Sequence, residues 1–310
     1  MAIAGIERLL HADWSLSPSK RWYAQAHRIN GQWQVSDPVR IGDVHTWRDE
    51  VLMAPVHGTT LAGFDFPIGV PEQWAMQAGV TDFRAWLEAL DMPRWQYFFD
   101  TASTPKEISL TRPFYPHRAR QGMRQSDLTR ALNVEDFDAL RRECERDMPG
   151  RRPCPLFWTL GANQVGKAAQ AGWREVIMPA LDQGAALWPF DGTLAALAQE
   201  NHCILCETWP TLAARLMKNE LSPRQSKRRQ VDRIEAGKAL FESGLPIVWD
   251  GQAKASVVSG FGERADGEDA FDATLGLLMM IAVVEEHLPA SSTLSPVARH
   301  LEGWILGLEG

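Results

Sequence analysis

The chain has 310 residues, of which 45% are apolar and 23% charged, so a disordered protein is excluded and a folded globular one is expected. Its net charge of −7 argues against a surface that binds nucleic acid all over, although a net value does not exclude local basic stretches. Because we find neither a secretion signal nor a long apolar run, we expect a cytoplasmic protein without membrane spans.

The N-terminal part of the chain predicts a meander of three strands. IERLLHADWS (6–15) has the composition of a strand and is followed by a polar turn. The second and third strands are RWYAQAHRI (21–29) and QWQVSD (32–37). The dipeptide Asn30-Gly31 between them is a strong hairpin signal.

The next part of the chain alternates between helix and strand and then becomes irregular. Apolar spacing predicts a helix over 44–54, and TTLAGFDFPIG (59–69) predicts a fourth strand that ends at Asp65. A helical region is predicted over 71–90. Scattered prolines then indicate an irregular insertion over about 91–155, placed over one end of the sheet.

The C-terminal half predicts three helices and one strand. A helix is predicted from about residue 162, and HCILCET (202–208) predicts a buried fifth strand. A long amphipathic helix is predicted over 222–244 and a largely buried one over 267–288. Together the pattern predicts a single α/β domain over residues 1–310.

Cys203 and Cys206 form a C-x-x-C pair in the predicted fifth strand. Residues three apart in a strand point to opposite faces of the sheet. We therefore expect neither a zinc site nor a redox pair here.

Carboxylates occur at the ends of the predicted strands and on the last helix. Asp13 ends the first strand, Asp65 the fourth and Glu207 the fifth, whereas Asp269 and Asp272 lie one turn apart on one face of the closing helix. Since the rest of that helix is apolar, its acidic pair needs a partner. Carboxylates that converge at one edge favour Mg²⁺ or Mn²⁺, and paired ions of this kind promote phosphodiester cleavage.

Each of these acids also has a local structural interpretation. Asp269 can stabilise the N-terminus of its helix, and Asp13 can cap the turn after the first strand. Asp65 and Glu207 can accept hydrogen bonds from turn amides. The convergence of all the acids on one edge is what favours the metal site.

Two basic stretches are candidates for binding nucleic acid. The first, RPFYPHRARQGMR (112–124), interleaves Phe114 and Tyr115 with basic side chains, and the second is RQSKRRQVDR (224–233). A solvated helix face is the alternative interpretation of the second stretch. The predicted contacts to nucleic acid are Arg112, Arg118, Arg120, Lys227, Arg228 and Arg229.

Four short motifs occur in chain order: ADWS (12–15), FDFPIG (64–69), CETWP (206–210) and DAFDATLGLL (269–278). Together they resemble a bacterial domain family of unknown function that is predicted to comprise RNase H-like nucleases. The spacing D-x-x-D-A in the last motif also resembles the junction resolvases of that superfamily. Those resolvases have Pro-Gly where this chain has Trp14-Ser15, and Glu where it has Asp65.

The resemblance implies an RNase H-like mixed sheet of five strands in the order 3-2-1-4-5, with flanking helices and the irregular insertion. It also implies a two-metal acidic site at Asp13, Asp65 and Asp272, with Asp269 and Glu207 close by. The expected function is a Mg²⁺- or Mn²⁺-dependent phosphodiesterase acting on nucleic acid, with Asp13, Asp65, Glu207 and Asp272 as catalytic residues. The alternative is a non-catalytic RNase H-like protein.

GANQVGKA (161–168) matches the spacing of a phosphate-binding loop, with Gly161, Gly166 and Lys167 in place. Ala168 stands where the loop requires a hydroxyl for magnesium, and the segment fits the start of a helix equally well. A strand must precede such a loop, and PLFWTL (155–160) is the candidate. A nucleotide-binding protein, such as a GTP-binding cofactor-assembly protein, is therefore a further alternative.

Overall fold

The chain folds into one mixed β-sheet with helices on both faces. The computed structural model describes residues 3–118, 122–146, 148, 152–160, 165–216, 224–263, 266–290 and 293–310. The strands in this part are β1 (Ile6–Asp13), β2 (Trp22–Ile29), β3 (Gln32–Val35), β4 (Val39–Arg40), β5 (Thr59–Phe64), β6 (Ala186–Leu187), β7 (Cys203–Glu207) and β8 (Ile247–Trp249).

The α-helices lie mainly in the second half of the chain. They are α1 (Val44–Trp47), α2 (Glu72–Ala78), α3 (Phe83–Glu88), α4 (Gln125–Leu132), α5 (Glu143–Arg146), α6 (Gly166–Gly172), α7 (Met178–Asp182), α8 (Leu194–Glu200), α9 (Pro210–Leu216), α10 (Gln230–Phe241), α11 (Gly251–Val258) and α12 (Gly267–Val284). A π-helical stretch, Trp173–Ile177, joins α6 to α7. Among the described residues, no helix is long and apolar enough to cross a membrane.

The sheet is wider than the five-stranded sheet that we predicted. Its order is β6-β7-β5-β1-β2-β3-β8, and β4 pairs with the outer part of β2. The central strand β1 is parallel to β5 and antiparallel to β2, and β5 is parallel to β7. The three strands that the sequence did not indicate have only two or three residues each, which is too short for a periodic pattern.

Side chains alternate between two buried clusters, one on each face of the sheet. Leu10 and Leu205 belong to the cluster that includes residues of the insertion, whereas Leu9 and Ile204 belong to the cluster built around α12. Cys203 and Cys206 belong to different clusters. The expectation that these two thiols face opposite ways is therefore confirmed.

Two predicted helices begin later than expected. The long helix predicted over 222–244 begins at Gln230, since residues 224–229 form a turn. The carboxylate of Asp232 holds this turn by accepting hydrogen bonds from the Ser226 amide at 2.7 Å and from Arg229 Nε at 2.6 Å. The helix predicted from about residue 162 begins at Gly166, and residues 161–164 lie outside the described part.

His11 joins the central strand to α12. Its ring is fully buried, with Nδ1 3.0 Å from the Ala273 carbonyl oxygen and Nε2 2.8 Å from the Thr208 hydroxyl. Since a carbonyl only accepts, Nδ1 carries the hydrogen and Nε2 accepts from Thr208. Burial lowers the pKa of His11 to about 3, so the ring is neutral at physiological pH. Gly276 allows the close approach, because a Cβ there would lie 2.2 Å from ring atoms of His11.

We expect Gly276→Ala to lower the free energy of unfolding by about 1–3 kcal/mol, because the added methyl group must displace the His11 ring or the helix. Urea unfolding measures the change. The control is Gly251→Ala at the start of α11, where a Cβ meets nothing within 4 Å. The control should be neutral or slightly stabilising. Equal effects of the two substitutions would contradict the close packing of α12 on β1.

We expect part of the stability to be lost as the pH falls from about 6.5 towards 3, because the unfolded chain takes up a proton on His11 with the ordinary pKa of 6.5 and the folded protein only at about 3. The contribution of His11 to this loss of stability is at most about 1.4 kcal/mol per pH unit. In His11→Gln, which does not titrate, stability should decline less steeply across this range. The same substitution at the exposed His57 is the control, and its curve should run parallel to that of the parent. If the stability of His11→Gln fell as steeply with pH as that of the parent, the low pKa assigned to the buried His11 would be contradicted.

Candidate functional site

Asp13 and Asp65 lie side by side where the two central parallel strands end. The register pairs Ala12 with Phe64, so the residues that follow, Asp13 and Asp65, are neighbours. Asp13 comes two residues after His11 and therefore faces α12. The amide of Trp14 donates to Asp65 Oδ1 at 2.6 Å, which fixes the orientation of that carboxyl group.

Asp272 reaches the same place from α12. The residue is 7% exposed, and the bond from His11 to the adjacent Ala273 carbonyl sets its position along β1. One carboxylate oxygen, Oδ2, forms an ion pair with Lys227 Nζ. The other, Oδ1, is buried without a hydrogen-bond partner among the described residues. An unpartnered buried carboxylate oxygen is costly, so this atom is a vacant acceptor in the site.

Burial shifts the pKa values of the first two acids upward. The pKa of Asp13 lies well above its usual range, first because the group is buried and then because Asp65 and Asp272 are close. Burial also raises the pKa of Asp65 to about 6, although hydrogen bonds from Asp13 and Trp14 oppose the rise. This rise favours the protonated form of Asp13, which can donate a hydrogen bond to Asp65.

Asp269 borders the acidic site one turn before Asp272. It is half-buried, and burial raises its pKa to about 6 while Lys20 opposes the rise. It lines an open cavity of about 540 Å³ together with Lys20, Arg40 and Arg228. Asp266 and Glu268 also line this cavity, next to Arg40 and Arg228, so acidic and basic side chains are mixed at the border of the acidic site.

Glu207 does not join the other acids. The register pairs it with Phe64, so its side chain points to the opposite face of the sheet from Asp65. There it forms two bonds of 2.6 Å with the guanidinium of Arg142, and the Ile68 amide donates to it at 2.7 Å. Burial raises the pKa of Glu207 to about 7, and Arg142 opposes the rise. The described contacts make Glu207 the anchor of an arginine from the insertion.

The second basic stretch is only partly open to solvent. Lys227 is paired with Asp272, and Arg229 with Asp232 at 2.6 Å. The side chain of Arg228 is 84% exposed and lies 3.6 Å from Glu268. Of the three contacts predicted here, Arg228 is the one best placed to meet a polyanion.

The first basic stretch is divided between surface and core. Arg112 pairs with Glu107 at 3.2 Å, Arg118 is exposed, and Arg120 lies outside the described residues. Phe114 and Tyr115 are fully buried, so neither ring can stack on a base. The interleaved aromatic residues are therefore part of the core.

Sequence reasoning missed two residues that shape the site and one that binds Glu207 on the opposite face. His11 sets the position of α12. The sequence signal for its role was its position two residues before Asp13 in the same strand, because such residues share a face of the sheet. Arg233 is fully buried and donates to the Lys227 carbonyl at 2.6 Å, which holds the loop that carries Lys227. Arg142 lies in the irregular insertion, where no pattern singled it out.

The donor set suits a hard divalent cation, but the groups are neutralised within the protein. Within the described ranges, no group of three or more His, Cys, Asp or Glu side chains is placed to hold a metal ion as it stands. The Lys227 ammonium pairs with Asp272, and burial favours the protonated form of Asp13. Carboxylate oxygens are nevertheless the ligands that Mg²⁺ and Mn²⁺ prefer, and no described residue forms a hydrogen bond with Asp272 Oδ1.

In comparisons with models of protein families, with curated proteins and with solved structures, no match to this chain was found. The likeness to RNase H-like nucleases therefore remains a prediction from the four short motifs.

Proposed function

We propose that this protein is an RNase H-like, metal-dependent phosphodiesterase that acts on nucleic acid. Asp13, Asp65 and Asp272 would hold Mg²⁺ or Mn²⁺, with Asp269 at the border of the site. The buried Oδ1 of Asp272, which has no hydrogen-bond partner among the described residues and lies close to Asp13 and Asp65, is the observation that carries this proposal.

The order of the predicted strands within the sheet supports the RNase H-like assignment. In the observed sheet β3, β2, β1, β5 and β7 are consecutive, and they correspond to predicted strands 3, 2, 1, 4 and 5. The extra strands β6 and β8 extend the two edges, and β4 pairs only with the first two residues of β2. The acids then fall at the carboxyl ends of the central parallel strands, where open α/β sheets bind their ligands.

The charges of the site match such a role. A bound divalent ion lowers the pKa of water and stabilises the leaving oxygen of a phosphodiester. Asp13 must lose its proton to become a ligand, so binding would release a proton. Lys227 would be freed from Asp272 and left next to the reacting phosphate, together with the exposed Arg228.

The ion pair of Lys227 with Asp272 also supports a second candidate, a non-catalytic RNase H-like protein. In that case the ammonium group is the permanent cation of the site, and the protein only binds its partner. The two candidates differ in whether a divalent ion can displace Lys227.

The described residues offer no support for a nucleotide-binding loop at GANQVGKA. Residues 155–160 form a turn with one isolated bridge, Tyr115 to Trp158, and not a strand of the sheet. Ala168 lacks the hydroxyl that holds magnesium. The alternative of a GTP-binding protein is therefore not our proposal.

We expect Asp272→Asn to abolish Mn²⁺ binding in calorimetric titration. The substitution removes the carboxylate whose Oδ2 pairs with Lys227 and whose Oδ1 would bind the ion. The free energy of unfolding should change by no more than about 1 kcal/mol, since the Lys227 side chain is 34% exposed and can turn to solvent. Asp250→Asn is the matched control, because Asn can still accept the bond from the Ala253 amide at the start of α11. Equal Mn²⁺ affinity in parent and Asp272→Asn would show that the acids are structural.

We expect Lys227→Gln to strengthen Mn²⁺ binding by about tenfold, because the ammonium group no longer competes for Asp272. Lys238→Gln, which breaks an exposed pair with Glu235, is the control and should not change the affinity. If neither the parent nor Lys227→Gln binds Mn²⁺, the metal-dependent function is wrong and the non-catalytic candidate is favoured.

A further inference from the structure

A second cavity, of about 520 Å³, lies between the loop that begins at Phe99 and the helix that begins at Gly166. Leu16 forms part of its wall and comes three residues after Asp13, so the cavity adjoins the loop that leaves the acidic site. Lys167, the residue at the lysine position of GANQVGKA, also lines it.

One face of the helix supplies the inner wall of the cavity. Lys167, Gln170 and Arg174 recur every three or four residues and so lie on the same side. The buried Gln170 donates through Nε2 to the Phe99 carbonyl at 3.0 Å, which ties the opposite loop to the helix. The two walls are therefore held together before any ligand arrives.

The two basic side chains on this helix face make no ion pair with any described residue. Lys167 Nζ donates to the His117 carbonyl at 3.1 Å, a neutral partner that leaves the positive charge uncompensated. The Arg174 guanidinium lies over the Phe99 ring at 5.6 Å, so a cation–π contact orients it while its N–H groups stay available.

The other charged groups of the cavity are mostly compensated. Arg112 pairs with Glu107, and Glu175 pairs with Arg21. Asp100 is the remaining carboxylate, and within the described residues its side chain has no basic partner. Two uncompensated cations thus face one uncompensated carboxylate, which gives the cavity an excess of positive charge. Thr101 and Ser103 add hydroxyl groups to the lining.

We infer that this cavity binds a phosphate group of a single-stranded nucleic acid, through Lys167 and Arg174. The inference rests on the proposed function, because the strand bound here would be the substrate of that site. A basic groove that follows the backbone is the usual means of binding single strands. A free nucleotide carries the same phosphate chemistry, so the test must separate the two sources.

The test measures fluorescence anisotropy of a labelled single-stranded oligothymidylate with the parent and with Lys167→Gln/Arg174→Gln, in a chelating buffer that excludes divalent ions. We expect roughly tenfold weaker binding at low salt in the variant. The slope of log Kd against log salt should fall by about 0.7 for each cation removed, hence by about 1.4 for both. Lys238→Gln/Lys254→Gln, on α10 and α11, removes the same charge elsewhere and should bind like the parent.

Equal affinity and equal salt slope in the two double variants would overturn the inference, as would the absence of binding by the parent at low salt. Competition with AMP decides the source of the phosphate. If AMP displaces the strand as effectively as unlabelled oligothymidylate of equal nucleotide concentration, the cavity is a site for free nucleotides and the inference is wrong.

Because these measurements exclude divalent ions, they are independent of the acidic site. A parent that binds the strand but no Mn²⁺ would refute the proposed phosphodiesterase while the phosphate site stands. Mn²⁺ binding together with unaltered strand binding in Lys167→Gln/Arg174→Gln would refute only the phosphate site.

Discussion

The close contact between α12 and the central strand is the constraint on which the candidate site depends. Gly276 leaves room for the His11 ring, and His11 bonds to the Ala273 carbonyl. Because the ring is neutral and fully buried, it can bridge strand and helix without burying a charge. The contact places Asp272 against the ends of β1 and β5, so the helix is part of the site as much as of the core.

Bringing three carboxyl groups together has an electrostatic cost, and the protein reduces it in two ways. Burial and the neighbouring acids favour the protonated form of Asp13, and Lys227 supplies a positive charge to Asp272. The buried Arg233 holds the carbonyl of Lys227. The negative charges of the site are therefore reduced by groups of the protein itself. This explains how carboxyl groups that would otherwise repel one another can be packed together. The same arrangement makes the ammonium group the competitor of any divalent ion.

The two faces of the sheet have different tasks. On the α12 face, acidic and basic side chains form the candidate site. On the other face, Glu207 binds Arg142 and so attaches the irregular insertion to the end of β7. Separation of the two side chains would leave an uncompensated charge inside the protein. Glu207 and Arg142 are therefore held in one geometry. The insertion in turn supplies one wall of the basic cavity, through Phe99 and its bond to Gln170.

The sequence by itself determined the long central strands, the hairpin at Asn30-Gly31 and the buried last helix, because periodicity and turn residues are local properties. It also placed Asp13 and Asp65 at strand ends. It could not show the short strands β4, β6 and β8, whose pairing depends on partners far along the chain. Nor could it separate Glu207 from the other acids, because that depends on the register between β5 and β7. Only the tertiary structure decided that Lys227 faces Asp272 and not solvent, since a basic residue in a turn is drawn inward only where a buried carboxylate lies within reach.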